Sequence, residues 1–203
     1  MKLYYFPGAC PLASHITLEW TGKPYETVRL TRKQTKEPEY LALNPAGAVP
    51  TLVDGDFVLT QSAAILEYLA ELSPEAGLIG DTPRERAETR RWLGLCNSDL
   101  HKIFGLVFGS AYFSGGDEVL GQTLADKAAE KLQQLFTLAN EQLRGRDWLT
   151  GKRSVADPYL FTIAQWLEGD GVDTGRLPRV MDHRKRMMDR QAVAKAVAQE
   201  TAA

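Results

Sequence analysis

The chain has 203 residues, 44% of them hydrophobic and 25% charged, which is enough apolar material for one large domain or two small ones with their own cores. A formal net charge of -2 gives no electrostatic basis for holding nucleic acid or anionic lipid. No unbroken apolar run approaches the roughly 20 residues of a membrane-spanning helix, and Leu3 to Phe6 is too short for a signal core of about 7–15 residues.

Two styles of sequence meet near residue 80. The first part alternates short strands and helices: a strand over 2–6, a helix over 11–22 that stops at Gly22, and a second strand over 25–30 with Val28 and Leu30 at period two. A short helix over 37–45 ends at Asn44-Pro45, a hairpin over 49–60 turns at Asp54-Gly55, and a helix over 61–72 aligns Ile65, Leu66, Leu69 and Leu72. Residues 73–82 carry the Pro and Gly content of a linker. Everything after it reads as helix, over 83–113, 116–145, 154–169 and 176–200. The order β-α-β-α-β-β-α followed only by helices predicts an α/β domain, 1–77, joined to an all-α domain, 83–203.

Chemistry is expected first at Cys10. The chain has only one other cysteine, Cys96, so no disulfide framework is possible and a reducing, cytoplasmic compartment is expected. Pro11 suits the first turn of a helix and places Cys10 at or beside its N-cap, where unpaired N–H groups favour a thiolate. The plainer reading is a small buried hydrophobe. In "NPAGAVPT", Pro50 enters a strand, and a cis Val49-Pro50 peptide would turn the Val49 backbone toward a peptide ligand. An ordinary trans turn is the alternative. Gln61 and Ser62 open a helix after a strand, suited either to a carboxylate or to simple capping.

In 92–104, Trp92, Cys96, Leu100, Ile103 and Val107 make an apolar stripe, so Cys96 is expected in the core. Gly94, Asn97 or Ser98, His101, Gly105 and Phe108 fall on a smaller, more polar face that suits a cleft wall. His101 could donate to a thiolate or carboxylate and Lys102 could supply charge, against a solvated His-Lys pair. Ser154 with Asp157 reads as a helix-capping arrangement, and His15 as hydrogen-bonded packing. Tyr4 and Tyr5 alternate across the first strand, with Tyr5 nearer Cys10. The sequence has no Cys-x-x-Cys and no His-Glu-x-x-His, so neither a dithiol pair nor a metal site is expected.

Taken together, "MKLYYFPGACPLASHI", "NPAGAVPTL", "TQSAAILEYLA", "DLHK" and "SVADPYLF" resemble the cytosolic glutathione S-transferases, most closely their bacterial beta class. The resemblance implies an α/β thioredoxin-like N-terminal domain, an all-α C-terminal domain, a homodimer and glutathione as co-substrate with no metal. It implies conjugation of glutathione to a small hydrophobic electrophile, with Cys10 beside the glutathione sulfur and able to form a mixed disulfide. Val49, before Pro50, would pair with the cysteinyl backbone, and Gln61 and Ser62 would hold the γ-glutamyl group. His101 and Lys102 would reach the site from the helical domain, and Lys33, or else Lys36, would meet the glycyl carboxylate. Tyr5 is a further candidate for stabilising the thiolate, and Phe104, Phe108, Tyr112 and Trp166 are expected to wall the electrophile site.

The chain departs from the pattern at three places. Pro11 stands where serine is common, Gln61-Ser62 where some beta-class members carry Glu-Gly, and Gly94 where an asparagine reaching the neighbouring subunit is expected, with Asn97 one turn later. A cycle with Cys10 as nucleophile in thiol exchange is an alternative chemistry, and a non-catalytic binding module an alternative function.

Overall fold

The computed structural model describes residues 1–202. Strand β1 (Lys2–Tyr5) leads through α1 (Pro11–Thr21) to the parallel strand β2 (Glu26–Arg29), a crossover unit. A single 3₁₀ turn (Gln34–Lys36) and α2 (Pro38–Leu43) precede β3 (Thr51–Asp54), β4 (Phe57–Thr60) and α3 (Ser62–Glu71). The sheet order is β2-β1-β3-β4, with β3 antiparallel to both neighbours. The pairing of Asp54 with Phe57 puts the hairpin turn at Gly55-Asp56, one residue beyond the position read from sequence, with Gly55 at φ 63°. Leu3 and Leu52 point from the inner sheet face onto Leu18, Ile65 and Leu69, all essentially sealed from solvent.

Helix α1 has no exposed face over its first eight residues because neighbours cover it all round. Pro11 through Leu18 are all buried, against β1 and α3 on one side and the helices over Ala156–Ala164 and Gln191–Thr201 on the other. Gly22 ends it in the left-handed conformation, its N–H capping the Leu18 carbonyl at 3.2 Å.

The helical half comprises α4 (Pro83–Gly94), α5 (His101–Phe108), α6 (Ser110–Phe113), α7 (Glu118–Gln142), α8 (Ala156–Ala164), α9 (Pro178–Met188) and α10 (Gln191–Thr201). Two long helices expected from sequence are therefore divided. A π-helical stretch, Leu95–Leu100, separates α4 from α5. Its wider turn rotates the following residues, so Leu100 and Phe104 enter the core while Ile103 and Val107 are only half-buried. The 176–200 helix breaks at Asp189-Arg190, with Arg190 extended at φ -83°, ψ 125°. The sequence carries a trace of this break: the buried stripe Val180, His183, Met187 resumes at Val193, a step of six that no continuous α-helix keeps in phase.

The caps are polar and local. Thr82 accepts from the Glu85 N–H at 3.2 Å, and the Glu85 carboxylate accepts from the Thr82 N–H at 3.0 Å. The Thr82 N–H, Lys152 and the Asp81 N–H bring the Glu85 carboxyl down to about 2. The segment before α4 is pinned to the core: Leu78 is buried and its carbonyl accepts from the Val155 N–H at 2.8 Å. At the start of α8, Asp157 is fully buried and accepts four bonds, from Leu149 N–H (3.0 Å), His183 Nε2 (3.2 Å), Ser154 N–H (2.9 Å) and Ser154 hydroxyl (3.1 Å).

Candidate active site

Where α1 and the 44–50 loop meet the π-helical stretch and α5, a cleft of about 370 Å³ opens. Cys10, Val49, Pro50, Gln61, Ser62, His101 and Lys102, residues distant in sequence, all line it, together with Asn44, Asn97, Leu106, Phe113 and Tyr159.

The 44–50 loop is held from three sides. Asn44 Nδ2 donates to the Ala48 carbonyl at 2.7 Å, the Tyr40 hydroxyl donates to the same carbonyl at 2.6 Å, and Lys36 Nζ donates to the Gly47 carbonyl at 2.8 Å. Gly47 has φ 57°, and a Cβ there would lie 2.8 Å from the Thr35 carbonyl oxygen, so only glycine fits. The Val49-Pro50 peptide is cis. The Val49 carbonyl faces Cys10 and accepts a hydrogen bond from its thiol at 3.5 Å. Beside it, Gln61 is the sole non-glycine residue among those described with positive φ (74°), an unfavourable backbone held between β4 and α3 at the cleft wall.

Cys10 sits at the N-cap of α1, as the Pro11 spacing implies, but its backbone is already helical and its side chain makes no cap bond. It is 7% exposed. Burial pushes the thiol up to about 11; the Ser62 hydroxyl and a backbone N–H oppose this, and the Glu200 charge adds to it. The expected thiol ionised by the helix end is therefore not what burial favours here: desolvation outweighs the Ser62 and backbone hydrogen bonds that would stabilise a thiolate. Cys10 is thus a hydrogen-bond donor at neutral pH. Its alkylation by iodoacetamide is expected to be slow at pH 7 and to rise about tenfold per pH unit toward 11, because only the thiolate reacts. A mass-spectrometric time course across pH checks this, and a plateau below pH 8 would contradict it. Cys96, fully buried and with its thiol also raised, is expected to stay unmodified in the folded chain.

His101 begins α5. Its Nδ1 lies 2.8 Å from the Tyr159 hydroxyl, and burial followed by the Lys102 charge lowers its pKa, so the ring is neutral at pH 7. The ring packs on Trp166 at 5.1 Å, and Trp166 Nε1 donates to the Gly8 carbonyl at 2.8 Å, tying the helical half to the loop before Cys10.

Several expected residues stand elsewhere. Tyr5 does not line the cleft: it shares the inner sheet face with Leu3 and packs on His15 at 6.1 Å, since period two aims it at α1. Burial and the Glu200 charge raise its pKa. Tyr4, on the opposite face, packs on Tyr40. Lys33 caps the 3₁₀ turn in the open, whereas Lys36 reaches the cleft loop at Gly47. Among the aromatics, Phe104 is fully buried and backs Phe108 and Trp166 instead of forming a surface. Tyr112 is 84% exposed and meets Phe113, and it is Phe113 that lines the cleft. The π-helical stretch and the separate short α6 shift these faces away from a continuous-helix reading. Asn44, Phe113 and Tyr159 were not expected at the site. Tyr159 was hidden inside the apolar "DPYLF" run, where a polar hydroxyl was the only signal.

A sheet bearing a cis-proline loop opposite a cysteine at a helix N-terminus, backed by an all-helical half, defines a thioredoxin-like domain joined to a helical one. The chain belongs to the glutathione S-transferase family: the N-terminal domain of that family matches residues 1–71 and its C-terminal domain residues 105–191. Glutathione S-transferase GST-4.5 of Xanthomonas campestris pv. campestris is 44% identical over 190 residues, 93% of each chain. A glutathione S-transferase from Xylella fastidiosa superposes with TM-score 0.93 at 42% identity over 98% of both chains. A sphingomonad glutathione S-transferase complexed with glutathione gives TM-score 0.88 at 31% identity over the full length of both.

Proposed function

We propose that this chain is a beta-class glutathione transferase that activates the glutathione thiol in the Cys10 cleft and transfers it to a small hydrophobic electrophile. The observation that carries the reading is the convergence of Cys10, the cis-proline loop, Gln61-Ser62 and His101-Lys102 on one cavity. In this reading the Val49 backbone pairs with the cysteinyl unit, the α3 N-terminus with Gln61 and Ser62 takes the γ-glutamyl carboxylate, and Lys36 serves the glycyl end. His101, neutral at pH 7, accepts the thiol proton. The protonated Cys10 donates to the resulting thiolate, a role its raised pKa suits. The thiolate then attacks the electrophilic carbon and the leaving group departs with its electron pair. Phe108, Phe113 and Trp166 wall the electrophile, with Phe104 behind them. Residues 1–77 supply the glutathione half and 83–203 the electrophile half of a cytoplasmic homodimer, without a metal.

A nitro-activated aryl chloride and glutathione test this directly. Turnover above the solution rate, saturable in glutathione, is expected; binding of glutathione with no turnover of any aryl halide, epoxide or disulfide would favour a binding module instead.

A further inference from the structure

Tyr159 is wholly buried on α8, yet its hydroxyl joins two polar groups from other elements. It donates to Asn97 Oδ1 at 3.1 Å and lies 2.8 Å from His101 Nδ1. Asn97 comes from the π-helical stretch, whose wide turn brings its amide to this hydroxyl. A phenol has one proton. With that proton on Asn97, the Tyr159 oxygen is left only to accept, so His101 must carry its hydrogen on Nδ1. His101 Nε2 has no hydrogen-bond partner among the described residues and keeps its lone pair, on a ring that lines the Cys10 cleft.

We propose that Tyr159, with Asn97 behind it, is a positioning residue that locks His101 in the Nδ1–H tautomer so that Nε2 accepts the proton of a thiol bound in the cleft. The tautomer follows from these two contacts with the Asn97 amide oxygen facing Tyr159; the proton-accepting role rests on the transferase reading. In that step the glutathione S–H bond breaks, its electron pair stays on sulfur, and the proton forms a new N–H bond at Nε2. No oxidant or other reactant is needed.

Nitrogen-15 spectra of the chain labelled at its three histidines test this at pH 7, with His101→Gln to assign the signal. The expected wild-type pattern is a protonated Nδ1 and an unprotonated Nε2 at His101. An Nε2–H signal would overturn the proposal, because it requires the Asn97 amide to point the other way and Tyr159 to donate to the ring. In Tyr159→Phe the His101 signal is expected to move toward the Nε2–H form, kcat to fall roughly tenfold or more, and the KM for glutathione to stay within about twofold. Asn97→Ala, which frees the phenolic proton for Nδ1, is expected to shift the tautomer in the same direction with Tyr159 intact. Unchanged tautomer and kcat in both variants would also overturn it. Because the spectrum is read without glutathione or electrophile, its result stands or falls separately from the transferase reading.

Discussion

Cys10→Ala is expected to abolish exchange between glutathione and a mixed disulfide while leaving conjugation to an aryl halide measurable. Thiol exchange through the protein draws on the thiolate fraction of Cys10, small at pH 7 and growing toward pH 11, and Cys10 is the only cysteine in the cleft, so its loss leaves the uncatalysed rate. Conjugation needs only the glutathione thiolate. There the buried, protonated Cys10 donates one hydrogen bond to an anionic thiolate, worth at least about 1.5 kcal/mol and so roughly a tenfold or larger loss of rate. Cys10→Ser keeps a donor at the same place and is expected to conjugate near the wild-type rate with no exchange activity. Parallel assays of both reactions on the two variants check this. Equal, complete loss of both activities in Cys10→Ser would show Cys10 acting as nucleophile in both.

The largest effect on stability is expected at Asp157, which does not itself line the cleft. Asp157→Ala would strand the buried Leu149 and Ser154 N–H groups and leave His183 without its partner, since the carboxylate accepts from all three. Both Asp157 and His183 are at most 1% exposed, so water cannot replace the lost bonds. A loss of about 3–5 kcal/mol is expected, as for other broken buried polar networks. Chemical denaturation reads it directly. Asp157→Asn keeps one acceptor oxygen and is expected to lose less; equal stability of Asp157→Ala and wild type would mean that α8 is held by its apolar contacts alone.

Much of this architecture was legible because local chemistry and global fold agree. Gly22 stopped α1 where a left-handed cap was needed, Pro83 opened α4, and Ser154 with Asp157 marked the start of α8. Cys10, Val49-Pro50, Gln61-Ser62 and His101-Lys102 could be singled out one by one from turn and helix-end chemistry, and the resemblance joined them. What could not be read was register and protonation. One π-helical stretch, invisible to a 3.6-residue pattern, moved Phe104 into the core and brought Asn97 to Tyr159. The six-residue step from Met187 to Val193 signalled the break before α10 only in retrospect. The state of Cys10 depends on burial, on the Ser62 hydroxyl that opposes it and on the Glu200 charge that adds to it, none of which a neighbouring residue in sequence reveals. Tyr5 failed for the opposite reason: nearness in sequence to Cys10 suggested a role that strand alternation forbids.

Calorimetric titration of reduced glutathione into the wild-type chain and into Ser62→Ala measures whether the Cys10 cleft is a glutathione site. One site per chain is expected, with affinity at least about tenfold weaker once the Ser62 hydroxyl is removed. Absence of binding at millimolar glutathione, or binding that Ser62→Ala leaves unchanged, would place glutathione outside this cleft and contradict the mechanism built on it.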